Sequence, residues 1–245
     1  MDDIDQIVVD EAKPRLVQAQ NGPFAYWCNK AYGKNPNQDR QYLHTAANIF
    51  LSCDGLGGRE HGDLVAHLFA EHVQNAVYRD NWVTPQSMGW VHEQVHARLN
   101  ERNINGGTCY LLFGIQGNQL HVYHAGDVKL IVLDETGTKV FETEDHVETI
   151  TEYFWEKRQI VTNSVSHSRL GRVVLDTLPL QTGYRIIAAS DGLWKPYPVP
   201  QAIALTRGKA PLAALECIAD GELFLRDNIN LFVYDLITFS VPQPL

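Results

Sequence analysis

The sequence predicts an α+β fold in which helices cover antiparallel sheets, and three observations carry that reading. Two amphipathic helical patterns occupy residues 63–103, strand patterns joined by short turns fill 107–141, and helices followed by one strand close the chain between 198 and 239. Helices and strands grouped in runs, without a βαβ alternation, suit antiparallel sheets with helices packed outside. At 245 residues and 44% hydrophobic content the chain can bury one sizeable core. No linker composition, internal repeat or low-complexity segment divides it, so residues 1–245 read as a single domain, with a polar peripheral arm at 1–20 and a polar, irregular, mobile flap at 142–170.

The elements follow from local chemistry. Residues 24–28 are a strand candidate, and Gly33-Lys34-Asn35-Pro36-Asn37-Gln38-Asp39-Arg40 is loop-forming in composition. A strand at 49–53 ends at Asp54. Leu64, Val65, Leu68, Phe69, Val73, Ala76 and Val77 recur at helical spacing, which predicts a helix over 63–79. Thr84-Pro85 starts a second helix, 85–103, with Val91, Val95 and Leu99 as its apolar stripe. At Gly107 the period drops to two: 108–116 and 119–124 flank the turn Gly117-Asn118 as a hairpin, and 129–133 pairs with 139–141 through Glu135-Thr136-Gly137. A strand at 185–189, helices at 198–206 and 210–225, and a strand at 229–239 complete the chain.

Bulk chemistry narrows the partners. Twenty basic residues against 29 acidic ones give a formal charge of −9 with no basic block, which argues against nucleic acid and membrane surfaces as partners. Met1-Asp2-Asp3-Ile4-Asp5 has none of the apolar character of a signal peptide, and no apolar run reaches the ~18 residues of a membrane span. Cys28, Cys53, Cys109 and Cys217 are scattered without a CxxC pair, which excludes a zinc ribbon and fits a reduced, cytoplasmic protein.

The candidate chemistry sits where strands end. Ile49-Phe50-Leu51-Ser52-Cys53-Asp54-Gly55-Leu56 and Ile186-Ile187-Ala188-Ala189-Ser190-Asp191-Gly192-Leu193 are two apolar strands with the same acidic exit, and Asp227 opens the strand that begins Asp227-Asn228-Ile229. In antiparallel sheets the end of one strand lies beside the start of its neighbour, so Asp54, Asp191 and Asp227 can converge. Clustered carboxylates repel unless cations neutralise them, and an all-oxygen set suits Mg²⁺ or Mn²⁺ better than zinc or copper. Glycines at 55, 57, 58 and 62 let the backbone after the first strand turn tightly against a ligand.

Asn37-Gln38-Asp39, Asp54-Gly55-Leu56-Gly57-Gly58 with Gly62, Gly106-Gly107-Thr108, Ala125-Gly126-Asp127, Ser190-Asp191-Gly192 and Asp227-Asn228-Ile229 occur in one order. In that order the chain resembles the metal-dependent serine/threonine protein phosphatases of the type 2C (PPM) class, in their short bacterial form. The resemblance implies a β-sandwich of two antiparallel sheets flanked by antiparallel helix pairs, with two Mn²⁺ or Mg²⁺ ions at one end. It implies that Asp54 bridges both ions, that the Gly55 carbonyl binds one, and that Asp191 and Asp227 hold the other with Asp39 nearby. Lys34 stands near the family's phosphate-binding position, and Asp145 matches a flap acid associated with a third, weakly bound ion. The implied reaction is in-line attack on a phosphoserine or phosphothreonine by water held between the two ions, in a monomer whose phosphoprotein substrates come from an opposing Ser/Thr kinase.

Four departures stand out against that family. Gln38 replaces a common Glu, Lys34 replaces a bidentate Arg, Leu56 replaces a His present in some relatives, and Val128-Lys129 replaces a usual Ser-Arg. They keep a second reading open, a catalytically weak or silent phosphatase fold that binds partners. A third class comes from His92-Glu93-Gln94-Val95-His96, a literal zinc-protease motif on the second helix. Its histidines lie one residue off the apolar stripe and no third ligand follows, so the sequence favours a solvent-facing helix edge there.

Overall fold

The computed structural model describes residues 3–30, 36–56, 61–152, 156–220 and 227–238. Two antiparallel sheets form a sandwich. The first orders the strands β1 (Asp5–Val8), β4 (Asp39–His44), β5 (Ile49–Gly55), β6 (Gly107–Gln116), β7 (Gln119–Ala125) and β13 (Val174–Pro179), with β12 (Val165–Ser166) paired to β6. The second orders β2 (Arg15–Ala19), β3 (Gly22–Asn29), β15 (Ile229–Asp235), β14 (Arg185–Ala189), β8 (Lys129–Leu133) and β9 (Lys139–Glu142). Helices α1 (Gly62–Asp80) and α2 (Pro85–Glu101) cover the first sheet, while α4 (Val199–Thr206) and α5 (Pro211–Asp220) cover the second. The α+β sandwich with outer helix pairs is therefore as predicted.

Side-chain alternation explains the layers. Along a strand successive residues face opposite sides, so Ile49, Leu51 and Cys53 pack against α1 and α2 while Phe50 faces the second sheet. Phe24, Phe50, Phe113 and Phe232 meet between the sheets, with the Phe24 and Phe50 rings stacked 4.1 Å apart. Ala25, Trp27, Ile187, Leu231 and Val233 form the layer beneath α4 and α5. Helix α2 begins as its sequence dictates: the Ser87 N–H donates to Thr84 Oγ1 (3.1 Å) and the Thr84 N–H to Ser87 Oγ (2.7 Å), a capping box with Pro85 in the first turn.

Four expectations change. The polar N-terminal stretch supplies an edge strand to each sheet, β1 and β2. Asp39 to His44, the first two residues of which read as loop, form β4; its buried polar side chains find part of their partners, Gln41 Nε2 donating across the sandwich to the Trp27 carbonyl (3.0 Å) and Arg40 Nη1 to the nearby carbonyls of Asn37 (2.6 Å) and Asp39 (2.7 Å). Residues 142–170 are not irregular: β10 (Val147–Glu152) and β11 (Glu156–Val161) pair as a separate two-stranded sheet, followed by β12. Its root is tied to the β7–β8 turn by the His146 N–H donating to the Gly126 carbonyl (2.8 Å). A four-residue helix, α3 (Asp191–Trp194), also went unseen, being too short to show a period. No described helix is long and apolar enough to cross a membrane.

Candidate metal centre

The alternation that builds the core also builds the site. Residues facing between the sheets run Phe50-Ser52-Asp54 on β5, Leu43-Gln41-Asp39 on β4, Ile186-Ala188-Ser190 out of β14, and Tyr234-Phe232-Asn230 back along β15. Each row is apolar in the middle of the sandwich and polar at one end, and it is the same end. Asp39 and Asp54 are register partners on β4 and β5. The two sheets are stitched there: Asn230 Nδ2 donates to the carbonyls of Arg40 (3.0 Å) and Cys53 (2.8 Å). Ser190 Oγ donates to Asp39 Oδ2 (2.9 Å) and accepts the Asn230 backbone N–H (2.9 Å).

Close backbone packing fixes the acidic turns. A Cβ on Gly55 would stand 2.5 Å from the Gly62 backbone and 2.8 Å from the Gln38 carbonyl, so the strand exit lies pressed against the start of α1. A Cβ on Gly192 would stand 1.9 Å from the Asn228 carbonyl oxygen, which locks α3 onto the start of β15. Thr108 Oγ1 donates to the Asp54 carbonyl (3.0 Å), and the Leu56 N–H donates to the Gly107 carbonyl (3.0 Å). The Leu56 side chain packs at the margin of the inter-sheet core, so it offers no proton at the site.

Electrostatics show which acids share a neighbourhood. Burial, then Asp39, Asp191, Asp127 and Asp227 in that order, push the Asp54 carboxyl well above the usual carboxylate range. Burial also raises Asp191, with Asp127 and Asp227 adding to it, and these outweigh the downward pull of Lys195. Asp39, Asp191 and Asp227, all singled out in the sequence, are thus among the charges that Asp54 feels. Asp127 is the member the sequence reading left out of the site. Its signal was present in Ala125-Gly126-Asp127, a strand exit of the same kind as the other two. The turn needs glycine, since Gly126 has φ +94° and packs on Cys109.

Asp145 stands apart from these acids. Asp145 pairs with Lys129 (3.0 Å), which also holds Glu142 (3.0 Å); its carboxyl is raised mainly by burial, and Asp127 is among the charges it feels. Lys34 lies outside the described residues. The zinc-protease motif does not assemble a site. His92 is not on a solvent edge but buried, its Nε2 hydrogen-bonded to the Tyr110 hydroxyl (2.8 Å), while His96 Nδ1 donates to the Ser166 carbonyl (2.8 Å). The helix rotates His92 inward because its ring completes the apolar face against Phe69 and Tyr110.

The donor set fits a hard divalent cation in kind. It is all carboxylate and carbonyl oxygen, and Asp54 is held against its own ionisation by burial and by four neighbouring acids, a state that cation binding relieves. Among the described residues no group of three or more His, Cys, Asp or Glu side chains already forms a metal-holding cluster. A lysine stands among these acids instead: Lys195 Nζ contacts the Asp191 carboxylate and lies 3.8 Å from that of Asp227.

Known structures place this architecture. PppA of Pseudomonas aeruginosa, described as a key regulatory component of T6SS, superposes with a TM-score of 0.70 over 93% of this chain and 98% of its own, at 20% identity. The catalytic domain of the serine/threonine protein phosphatase PstP, in complex with two manganese ions, gives 0.68 over 92% of this chain and 100% of its own, at 18% identity. RsbX in complex with magnesium gives 0.65 over 90% and 98%, at 13% identity. No protein-family model and no curated protein matches the sequence. The chain has the fold of the PPM, type 2C, serine/threonine phosphatases.

Proposed function

We propose that this chain is a metal-dependent phosphoprotein phosphatase acting on phosphoserine and phosphothreonine. The observation that supports it best is a PPM-type sandwich in which Asp39 and Asp54 are register partners, Asp191 and Asp227 share Lys195, and Asp54 feels the charges of Asp39, Asp127, Asp191 and Asp227. Asp54 and the Gly55 carbonyl would hold one Mn²⁺ or Mg²⁺, and Asp54, Asp191 and Asp227 a second, with Asp39 beside them and Asp145 serving a weak third. When bound, such cations acidify a water and offset charge on phosphoryl oxygens. The chain's own residues do the positioning. Ser190 fixes the Asp39 carboxylate through its Oγ. The carbonyls of Cys53 and Arg40 are held by Asn230, so β4 and β5 present Asp39 and Asp54 at a fixed separation. Lys34 supplies a point charge for the substrate phosphate. With Leu56 turned to the core, solvent protonates the leaving alkoxide. The same reading places the protein in the cytoplasm as a monomer opposing a Ser/Thr kinase.

One observation favours a second reading, a phosphatase fold that binds phosphoproteins with little turnover: Lys195 among the acids. A single experiment separates the two. Hydrolysis of a phosphothreonine peptide is measured with added Mn²⁺, with chelator, and for Asp191→Asn. Turnover lost in both latter conditions supports the phosphatase. Turnover indifferent to both rules out metal-dependent catalysis here, and phosphopeptide binding without turnover in any metal selects the binding module.

A further inference from the structure

Lys195 is the residue that neither the motifs nor the layer pattern anticipates. It caps α3, its N–H donating to the Asp191 carbonyl (2.9 Å), and its side chain folds back over the carboxylate four residues earlier. The helix is pinned on three sides. Leu193 is buried, Trp194 Nε1 donates to the Ala189 carbonyl (2.8 Å), and Gly192 sits against Asn228. Asp191, Lys195 and Asp227 therefore keep a fixed relation at the backbone while the lysine side chain, 61% exposed, retains an open path to solvent.

We propose that Lys195 is a tethered counter-ion for Asp191 and Asp227, which a divalent cation must displace, so that this one side chain sets how tightly the cation is held. The inference rests on the metal-dependent reading above. A +1 charge confined beside two carboxylates relieves part of their repulsion in the metal-free protein. A +2 charge relieves more, but only after the ammonium moves out. The apparent metal affinity is then the intrinsic affinity multiplied by the fraction of molecules in which the lysine has left. The pair is partly open to solvent, so the lysine weakens binding by a modest factor. Its stem is long enough to leave without any backbone rearrangement, so release needs only side-chain rotation.

The test is calorimetric titration of Mn²⁺ into the chelator-treated full chain, for the wild type, Lys195→Met, Lys195→Gln and Lys195→Arg. Both neutral variants are expected to bind about five- to tenfold more tightly at unchanged stoichiometry, with Lys195→Arg close to wild type. Without metal, Lys195→Met is also expected to melt below the wild type, and to gain more from added Mn²⁺. Neutral variants that bind no more tightly than wild type, or that gain affinity only through an additional site, overturn the inference. If the wild type binds Mn²⁺ and hydrolyses phosphopeptide while Lys195→Met is no tighter, the inference falls alone. If no variant binds Mn²⁺, it falls together with the metal-dependent reading.

Discussion

Ser190 Oγ donates to Asp39 Oδ2 at 2.9 Å, joining the end of the second sheet to an acid of the first. The same oxygen accepts the Asn230 N–H, so one hydroxyl satisfies a carboxylate and a backbone donor in a fully buried position. Ser190→Ala leaves both without that partner. A buried carboxyl acceptor and a buried N–H stripped of one hydrogen bond together cost about 2–4 kcal/mol. Urea denaturation of the metal-free protein should show that loss with an unchanged m-value. A loss under about 0.5 kcal/mol would mean the contact carries no weight.

Gly192 is required by space rather than by conformation. The Cβ of an alanine would lie 1.9 Å from the Asn228 carbonyl oxygen, and that neighbour is backbone, so relief means moving α3 away from β15. Gly192→Ala is expected to destabilise the fold by about 3 kcal/mol or more and to separate Asp191 from Asp227. Circular dichroism melting reads the first effect and Mn²⁺ titration the second. A variant that melts and binds like wild type would show that the turn tolerates the extra atom.

The parts of this site that were legible in the sequence are those written in period two. Phe50-Ser52-Asp54 and Ile186-Ala188-Ser190 each show an inward row that turns polar at its end, and the matched exits expose Asp54 and Asp191 directly. β4 was hidden because Asp39, Arg40 and Gln41 are polar residues in a buried strand, and their partners, such as the Trp27 carbonyl for Gln41 and Ser190 for Asp39, come from distant parts of the chain. Lys195 was hidden for a different reason. Its pairing with Asp191 depends on one helical turn too short to leave a period, and its approach to Asp227 depends on a β14–β15 neighbourhood separated by some forty residues of chain. His92 misled the sequence reading because a lone histidine beside an apolar stripe fits either face of a helix. Its partner Tyr110 decides the matter from another strand.

His92 makes acid sensitivity predictable. Burial pushes its imidazole down to about 4 in the folded protein, against ~6.5 when unfolded. Above pH 6.5 the ring is neutral in both states and the native contact is at full strength. As pH falls towards 4 the unfolded chain takes up the proton first, so stability declines, by about 3 kcal/mol in all. His92→Gln removes this component. The difference in unfolding free energy between wild type and variant should shrink progressively from pH 7 to pH 4. A difference independent of pH would contradict a buried, neutral His92.

Under the proposed metal-dependent reading, Asp54 trades stability against metal binding. In the metal-free protein its carboxyl is pushed up by burial and by four surrounding acids, so ionising it works against the fold. Asp54→Asn keeps the shape, removes the charge and leaves Thr108 on the unchanged backbone carbonyl. The variant should therefore melt higher than wild type without metal, by roughly 2–4 °C for each kcal/mol of repulsion relieved in a chain of this size. With Mn²⁺ the order should reverse if Asp54 holds cations as proposed, because its charge then binds them and ligand binding to the native state raises its melting temperature. Differential scanning calorimetry with chelator and with saturating Mn²⁺ distinguishes the cases. An Asp54→Asn protein that is less stable in chelator and still gains the full Mn²⁺ shift would remove Asp54 from the centre of the site. Stability gained by losing a charged residue, and lost again on adding metal, is the behaviour expected where function holds like charges together against folding.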